Sequence, residues 1–276
     1  MKVTETGKVR VLLKGIFKMG KKVLLILVDG MRPDAVAKCP HPFIKELQKR
    51  GSYTAEARTV MPSVTLPCHM SLFHSVTPQR HGVTTNQYVP QVRPVKGIFD
   101  VLRTHKKISA MFFDWEELRD LGRPDALAHT CFYSGHIMSY EKANLCITDD
   151  AVEYMKKYTP DFAFLYLGFT DEAGHDFGWM TDEYMRAVNQ SWDCIERVVN
   201  VLSDEYAVII TADHGGHERS HGTEMPEDMT IPMFAVGDEF AAGGALKNIS
   251  IMDIAPTVVK ILNLPPEDEW EGKPLF

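Results

Sequence analysis

Residues 21–30 read KKVLLILVDG, six consecutive apolar positions (23–28) closed at once by Asp29 and Gly30. An unbroken apolar run of this length suits a strand covered on both faces, since a half-buried strand would alternate with polar residues. Two other stretches are built on the same plan, DFAFLYLGFTD at 161–171 and YAVIITADHGG at 206–216. KISAMFF (107–113) and TIPMFAVG (230–237) are further buried strands, and YTAEARTV (53–60) alternates as a strand does. Helical patterns lie between them. HPFIKELQKRG (41–51) stops at Gly51, LPCHMSLFHS (66–75) has Pro67 near its start, and GIFDVLRTH (97–105) is a short helix. TDDAVEYMKKY (148–158) carries Thr148 as a candidate N-cap, the long amphipathic segment 181–202 opens on Thr181, and DIAPTVVKILNL (253–264) opens on Asp253. Buried strands alternating with helices predict an α/β fold, a three-layer α/β/α sandwich around a mostly parallel sheet.

The 276 residues, 45% hydrophobic and 24% charged, suit one large domain. Residues 21–276 are expected to form a single catalytic unit with at most a small cap. Residues 1–20 read as a leader or peripheral segment. The basic stretch 8–22 suits a solvated leader or short edge strand better than a membrane-surface element. A net charge of −7 argues against a nucleic-acid polymer as partner but not against a small phosphorylated substrate, because bound cations dominate the local field. No apolar run is long enough for a transmembrane segment. Five cysteines without a CxxC spacing imply free thiols in a reducing compartment, and the cytoplasm is the expected location.

In open parallel sheets, ligands collect at the carboxyl ends of the strands. Asp29, Asp171 and Asp213 stand at or just past three such ends, with His175 four residues beyond Asp171 and His214 beside Asp213. His217 and His221 follow closely. Carboxylates gathered at one point repel unless cations neutralise them. A mixed His and carboxylate set without thiolates suits zinc, with manganese or iron as alternatives, and the count suffices for two divalent metal ions. The segment TVMPSVTLPCHMSLF (59–73) offers Ser63, Thr65 and Cys68 as nucleophiles. Thr65 precedes an expected helix N-terminus, where free N–H groups favour an anion.

With these residues assembled, LVDGMRPD (27–34), MPSVTLPCH (61–69), HGVTTN (81–86), TDEAGH (170–175), TADHGGH (211–217) and the tail from 253 resemble the alkaline phosphatase superfamily, and within it the type I phosphodiesterase/nucleotide pyrophosphatase family. The resemblance implies that Asp29, Thr65, Asp213 and His214 hold one zinc. Asp171, His175 and a later histidine hold the other, His221 being favoured over His217. It also implies a Thr65 nucleophile and an Asn86 that donates to a non-bridging phosphate oxygen. Tyr166 would line a nucleotide-side pocket, or simply pack within its strand. Two departures stand out. Cys68 replaces an asparagine frequent in relatives, and the long insertion of larger members, between the DHG motif and the last metal histidine, is missing.

The expected activity is metal-dependent cleavage of phosphodiester or pyrophosphate bonds. The alternatives are a phosphomonoesterase, with Arg80 or another basic residue binding the extra charge, and a metal-binding protein without catalysis. Thr65 argues against a sulfatase, whose nucleophile is a modifiable Cys or Ser. The chain has no room for the large inserted domain of a phosphoglycerate mutase.

Overall fold

A computed structural model of the chain describes residues 21–276; the expected leader at residues 1–20 lies outside them. Eight strands form one sheet: β1 (Lys22–Val28), β2 (Ser52–Arg58), β3 (Ser109–Phe113), β4 (His129–Phe132), β5 (Phe162–Leu167), β6 (Tyr206–Thr211), β7 (Thr230–Val236) and β8 (Gly244–Ala245), in the order β4-β3-β5-β1-β6-β7-β2-β8. The half from β4 to β6 is parallel throughout, while β7 runs antiparallel to both β6 and β2. The strands expected from apolar runs all form. The short strands β4 and β8 carry too little apolar patterning to be read in advance.

Among the described residues, seven helices have seven residues or more: α1 (Pro42–Arg50), α2 (Thr65–His74), α3 (Ile98–Thr104), α4 (Tyr140–Tyr158), α5 (Phe169–Phe177), α6 (Asp182–Val199) and α7 (Ile254–Ile261). They cover both faces of the sheet, making three layers. On one face, Phe73 of α2 stacks on Phe99 of α3 at 5.1 Å, and these rings meet Phe164 and Phe162 of β5 edge-on. On the other, Trp192 of α6 meets Phe234 of β7 at 5.2 Å. β1 and β5 are buried along nearly their whole length, which is why they read as continuous apolar runs.

Local signals failed at two caps. Thr148 is not an N-cap, because α4 begins eight residues earlier and Thr148 donates within the helix to the Asn144 carbonyl at 2.6 Å. Ser139 occupies the cap and accepts from Lys142 N. Asp253 does not cap α7 with its side chain; its carboxylate turns back to accept from Ser250 N at 2.8 Å and Lys273 N at 2.7 Å. Thr181 does cap α6, accepting from Tyr184 N at 3.3 Å.

The register places the chemistry. Leu27 of β1 pairs with Tyr166 of β5 on one side and with Thr211 of β6 on the other. Side chains two residues apart share a face, so Asp29 and Asp213 leave adjacent strand ends on the face that carries the Tyr166 ring.

Candidate active site

Asp29, Asp213 and His214 lie with their ligating atoms within 4.8 Å of one another, and so do Asp171, His175 and His221. The His214 and His221 rings stack at 3.8 Å, so the two triads share a wall. Asp171 lies just past the end of β5, as expected, but on α5, where a spacing of four puts its side chain and that of His175 on one helix face. His175 Nε2 lies 3.4 Å and His221 Nε2 3.7 Å from the Asp171 carboxylate.

The three imidazoles are fixed alike. Nδ1 of His214 donates to the Gly215 carbonyl at 2.8 Å, that of His175 to Arg219 at 3.0 Å, and that of His221 to Ser63 at 2.8 Å. Each bond fixes its ring through Nδ1 and turns Nε2 inward, the arrangement common among metal-bound histidines. His217 faces elsewhere, donating from Nδ1 to the buried Asp228 at 2.7 Å.

Thr65 is the first residue of α2 rather than the one before it, with Val64 as N-cap. Its Oγ1 lies 3.2 Å from His214 Nε2, and it lines a cavity of about 180 Å³ with Asp29, Asn86, Asp171, His175 and His221. Asn86 Oδ1 accepts from Leu66 N at 3.0 Å, which leaves its amide hydrogens for another acceptor. Ser63 is committed elsewhere, donating to Thr223 O at 2.8 Å. Cys68 is buried and accepts from Thr59 Oγ1 at 3.1 Å, so it fills the asparagine position as a core residue. Burial pushes its thiol far up, the reverse of a nucleophilic thiolate. Tyr166 lines the cavity, but its ring is 2% exposed and its hydroxyl donates to Asp29 Oδ2. It therefore acts on that carboxylate more than on the cavity. Arg80 lies outside the lining, paired with Glu269 and donating to Arg93 O.

Several residues of the site region escaped sequence reasoning, His136 and Glu172 of the cavity lining among them. His69 is fully buried, donates from Nδ1 to Thr65 O at 2.8 Å and lies 3.6 Å from Asp213; its presence in PCH was the available signal. Trp115 and Tyr140 line the cavity from segments that carry no motif.

Burial, then the neighbouring charges of Asp213 and Asp171, holds the Asp29 carboxyl well above the usual range. Asp213 is likewise raised, by burial first. Burial pushes Asp171 up too, but the His175 hydrogen bond and the nearby His214 and His221 outweigh it. The same pairing lifts His175 to about 9, whereas burial presses His221 down to about 4. Asp29 Oδ1, Asp171 Oδ1 and Asp213 Oδ2 are buried atoms that find no hydrogen-bond partner. Unsatisfied carboxylate oxygens are costly, and three gathered beside inward-turned Nε2 atoms form a donor set that fits divalent cations.

Comparison with known proteins gives a concordant picture. Residues 23–106 match the family model of type I phosphodiesterase / nucleotide pyrophosphatase, and residues 132–266 that of the metalloenzyme superfamily. The chain is 24% identical to human ectonucleotide pyrophosphatase/phosphodiesterase family member 1 over 228 residues, which is 71% of this chain and 24% of that protein. It is 30% identical over 135 residues to 2,3-bisphosphoglycerate-independent phosphoglycerate mutase 2 of Methanosarcina barkeri, covering 47% of this chain and 25% of the mutase. The chain thus spans about a quarter of the length of these two curated relatives. Human ectonucleotide pyrophosphatase / phosphodiesterase 5 shares the fold at a TM-score of 0.76 and 15% identity, over 92% of this chain and 97% of that one. A 2-O GAG sulfatase does so at 0.74 and 15%, over 93% and 73%. At such identity, these structures speak for the fold alone.

Proposed function

Because the chain belongs to the alkaline phosphatase superfamily, we propose that its cavity hydrolyses phosphate diesters or pyrophosphate bonds with Thr65 as nucleophile and two divalent cations as cofactors. Asp29, Thr65, Asp213 and His214 hold one cation in this reading, and Asp171, His175 and His221 the other, with zinc the first choice and manganese or iron the alternatives. When bound, the cations supply positive charge that favours the ionised Thr65 hydroxyl and offsets charge on the phosphoryl and leaving oxygens. The observation that carries the proposal is the placing of one hydroxyl, at the first residue of a helix, against two triads in which each carboxylate keeps one buried oxygen without a hydrogen-bond partner.

The remaining steps belong to the chain's own groups. Thr65 Oγ1 forms a bond to phosphorus as the bond to the leaving oxygen breaks in line, giving a phosphothreonine. Water then attacks from the vacated side and returns the hydroxyl. Asn86 donates its free amide hydrogens to a non-bridging oxygen, and the N-terminus of α2 adds its dipole there. His214, with its proton fixed on Nδ1, turns Nε2 toward the cation it would share with the neighbouring Thr65 hydroxyl. Glu172 adds a further carboxylate to the cavity wall, which favours a singly charged diester over a doubly charged monoester.

The test is a rate comparison on bis(p-nitrophenyl) phosphate and p-nitrophenyl phosphate after loading with zinc or manganese. Faster diester cleavage is expected. Thr65→Ala should lower kcat by about a thousandfold or more while metal content is retained. Full turnover in that variant removes Thr65 from its role, and a preference for the monoester reverses the substrate assignment.

A further inference from the structure

Trp179 stands in the short link between α5 and α6, buried and outside the cavity lining. It nevertheless meets three chain segments that bring candidate ligands to the site. Its Nε1 donates to the Gly30 carbonyl at 2.9 Å, next to Asp29 at the end of β1. Its ring meets His175 of α5 edge-on at 5.2 Å and His221 edge-on at 6.0 Å. Its backbone N–H donates to the Glu218 carbonyl at 2.8 Å, in the loop between His214 and His221. Two glycines of the sequence motifs form its seat: a Cβ on Gly174 would lie 2.6 Å, and one on Gly216 2.2 Å, from atoms of the indole. Neither of these glycines has a positive φ, so the ring, and not the backbone conformation, keeps a side chain out. Gly30 does turn through a φ of +64°, and a Cβ there would come 3.0 Å from Asp171 Oδ1, so this turn borders both triads. Trp192 of the core offers a contrast, because its Nε1 is buried without a hydrogen-bond partner.

Groups that hold ligands in place govern metal affinity without touching the metal. Resting on the two-cation hydrolase reading, we propose that Trp179 is a positioning residue shared by both triads. Its indole N–H fixes the Gly30 turn, and with it Asp29, for one cation. Its ring backs the imidazoles of His175 and His221 for the other. Tyr184 also donates to the Gly30 carbonyl, at 2.9 Å, so loss of the indole N–H alone loosens that turn without freeing it. Loss of the ring removes the backing of both histidines and leaves a void beside Gly174 and Gly216.

Zinc is to be titrated into the metal-free parent and two variants against a chromogenic chelator, with urea unfolding of the same metal-free proteins alongside. Trp179→Phe keeps a ring and removes the donor, so one of the two zinc equivalents should bind about tenfold more weakly and the other as in the parent. Trp179→Leu removes both, and both equivalents should weaken by about tenfold or more. Variants that unfold more easily yet bind both zinc ions with the parent's affinity would reduce Trp179 to packing and overturn the assignment. Should Trp179→Leu not fold, Trp179→Phe decides alone, and unchanged affinity for both equivalents overturns the proposal. A parent that binds neither zinc nor manganese overturns the hydrolase reading itself, and this inference with it, before any variant is compared.

Discussion

Tyr166 shows how much depends on one side chain's direction. Spacing alone marked it as five residues before Asp171, a position open to substrate contact or to plain strand packing. The register puts its ring beside Leu27, and its hydroxyl reaches the Asp29 carboxylate two residues farther along. The bond satisfies Oδ2 and leaves Oδ1 free, so Tyr166 orients the carboxylate that the proposal gives to a cation. Tyr166→Phe should weaken metal binding by about 10- to 100-fold, read by competition with a chromogenic chelator. Affinity equal to the parent's would mean that the hydroxyl does not position Asp29.

At the scale of elements, caps and short helices decide where the ligating atoms fall. α6 spans 18 residues, with Ala187, Val188, Ser191, Trp192 and Ile195 buried along it. Thr181 stops its first turn from fraying by accepting from Tyr184 N, and the Tyr184 hydroxyl in turn donates to Gly30 O beside Asp29. Thr181→Ala should cost about 1 kcal/mol in urea unfolding, the usual price of an N-cap. A loss near zero would assign that cap's work to solvent. α5 is the element that sequence reading passed over, because it follows β5 after a single residue, Gly168. Its effect is large, since a helix rather than a loop sets Asp171 and His175 one turn apart.

For the whole molecule, buried titratable groups outside the cavity tie stability to pH. His81 is 1% exposed, accepts from Val83 N through Nδ1 at 3.1 Å and faces Ser71 Oγ through Nε2 at 3.1 Å. Both bonds suit the neutral ring. Burial, then His74, presses its pKa down to about 4. The unfolded chain takes up that proton near the ordinary histidine value of about 6.5 while the native state does not. Stability is therefore complete above that value and is lost as pH falls toward 4. Between pH 7 and 5 the parent should lose about 2 kcal/mol more of unfolding free energy than His81→Asn. Parallel pH profiles for the two would show that His81 titrates normally.

The α/β class, the apolar strands and the positions of Asp29, Asp171 and Asp213 were legible in the order of residues, because strands covered on both faces cannot alternate and so announce themselves. The choice of His221 over His217 was made on the family resemblance and was not legible in the hydropathy pattern. It depends on a turn whose hydrogen bonds send one ring to Asp228 and the other toward Asp171. Nor were the antiparallel entry of β7, the backward use of Asp253 or the aromatic wall of Trp115 and Tyr140. Each joins residues far apart in the chain, and no local pattern encodes which partners a folded sheet and its loops will bring together.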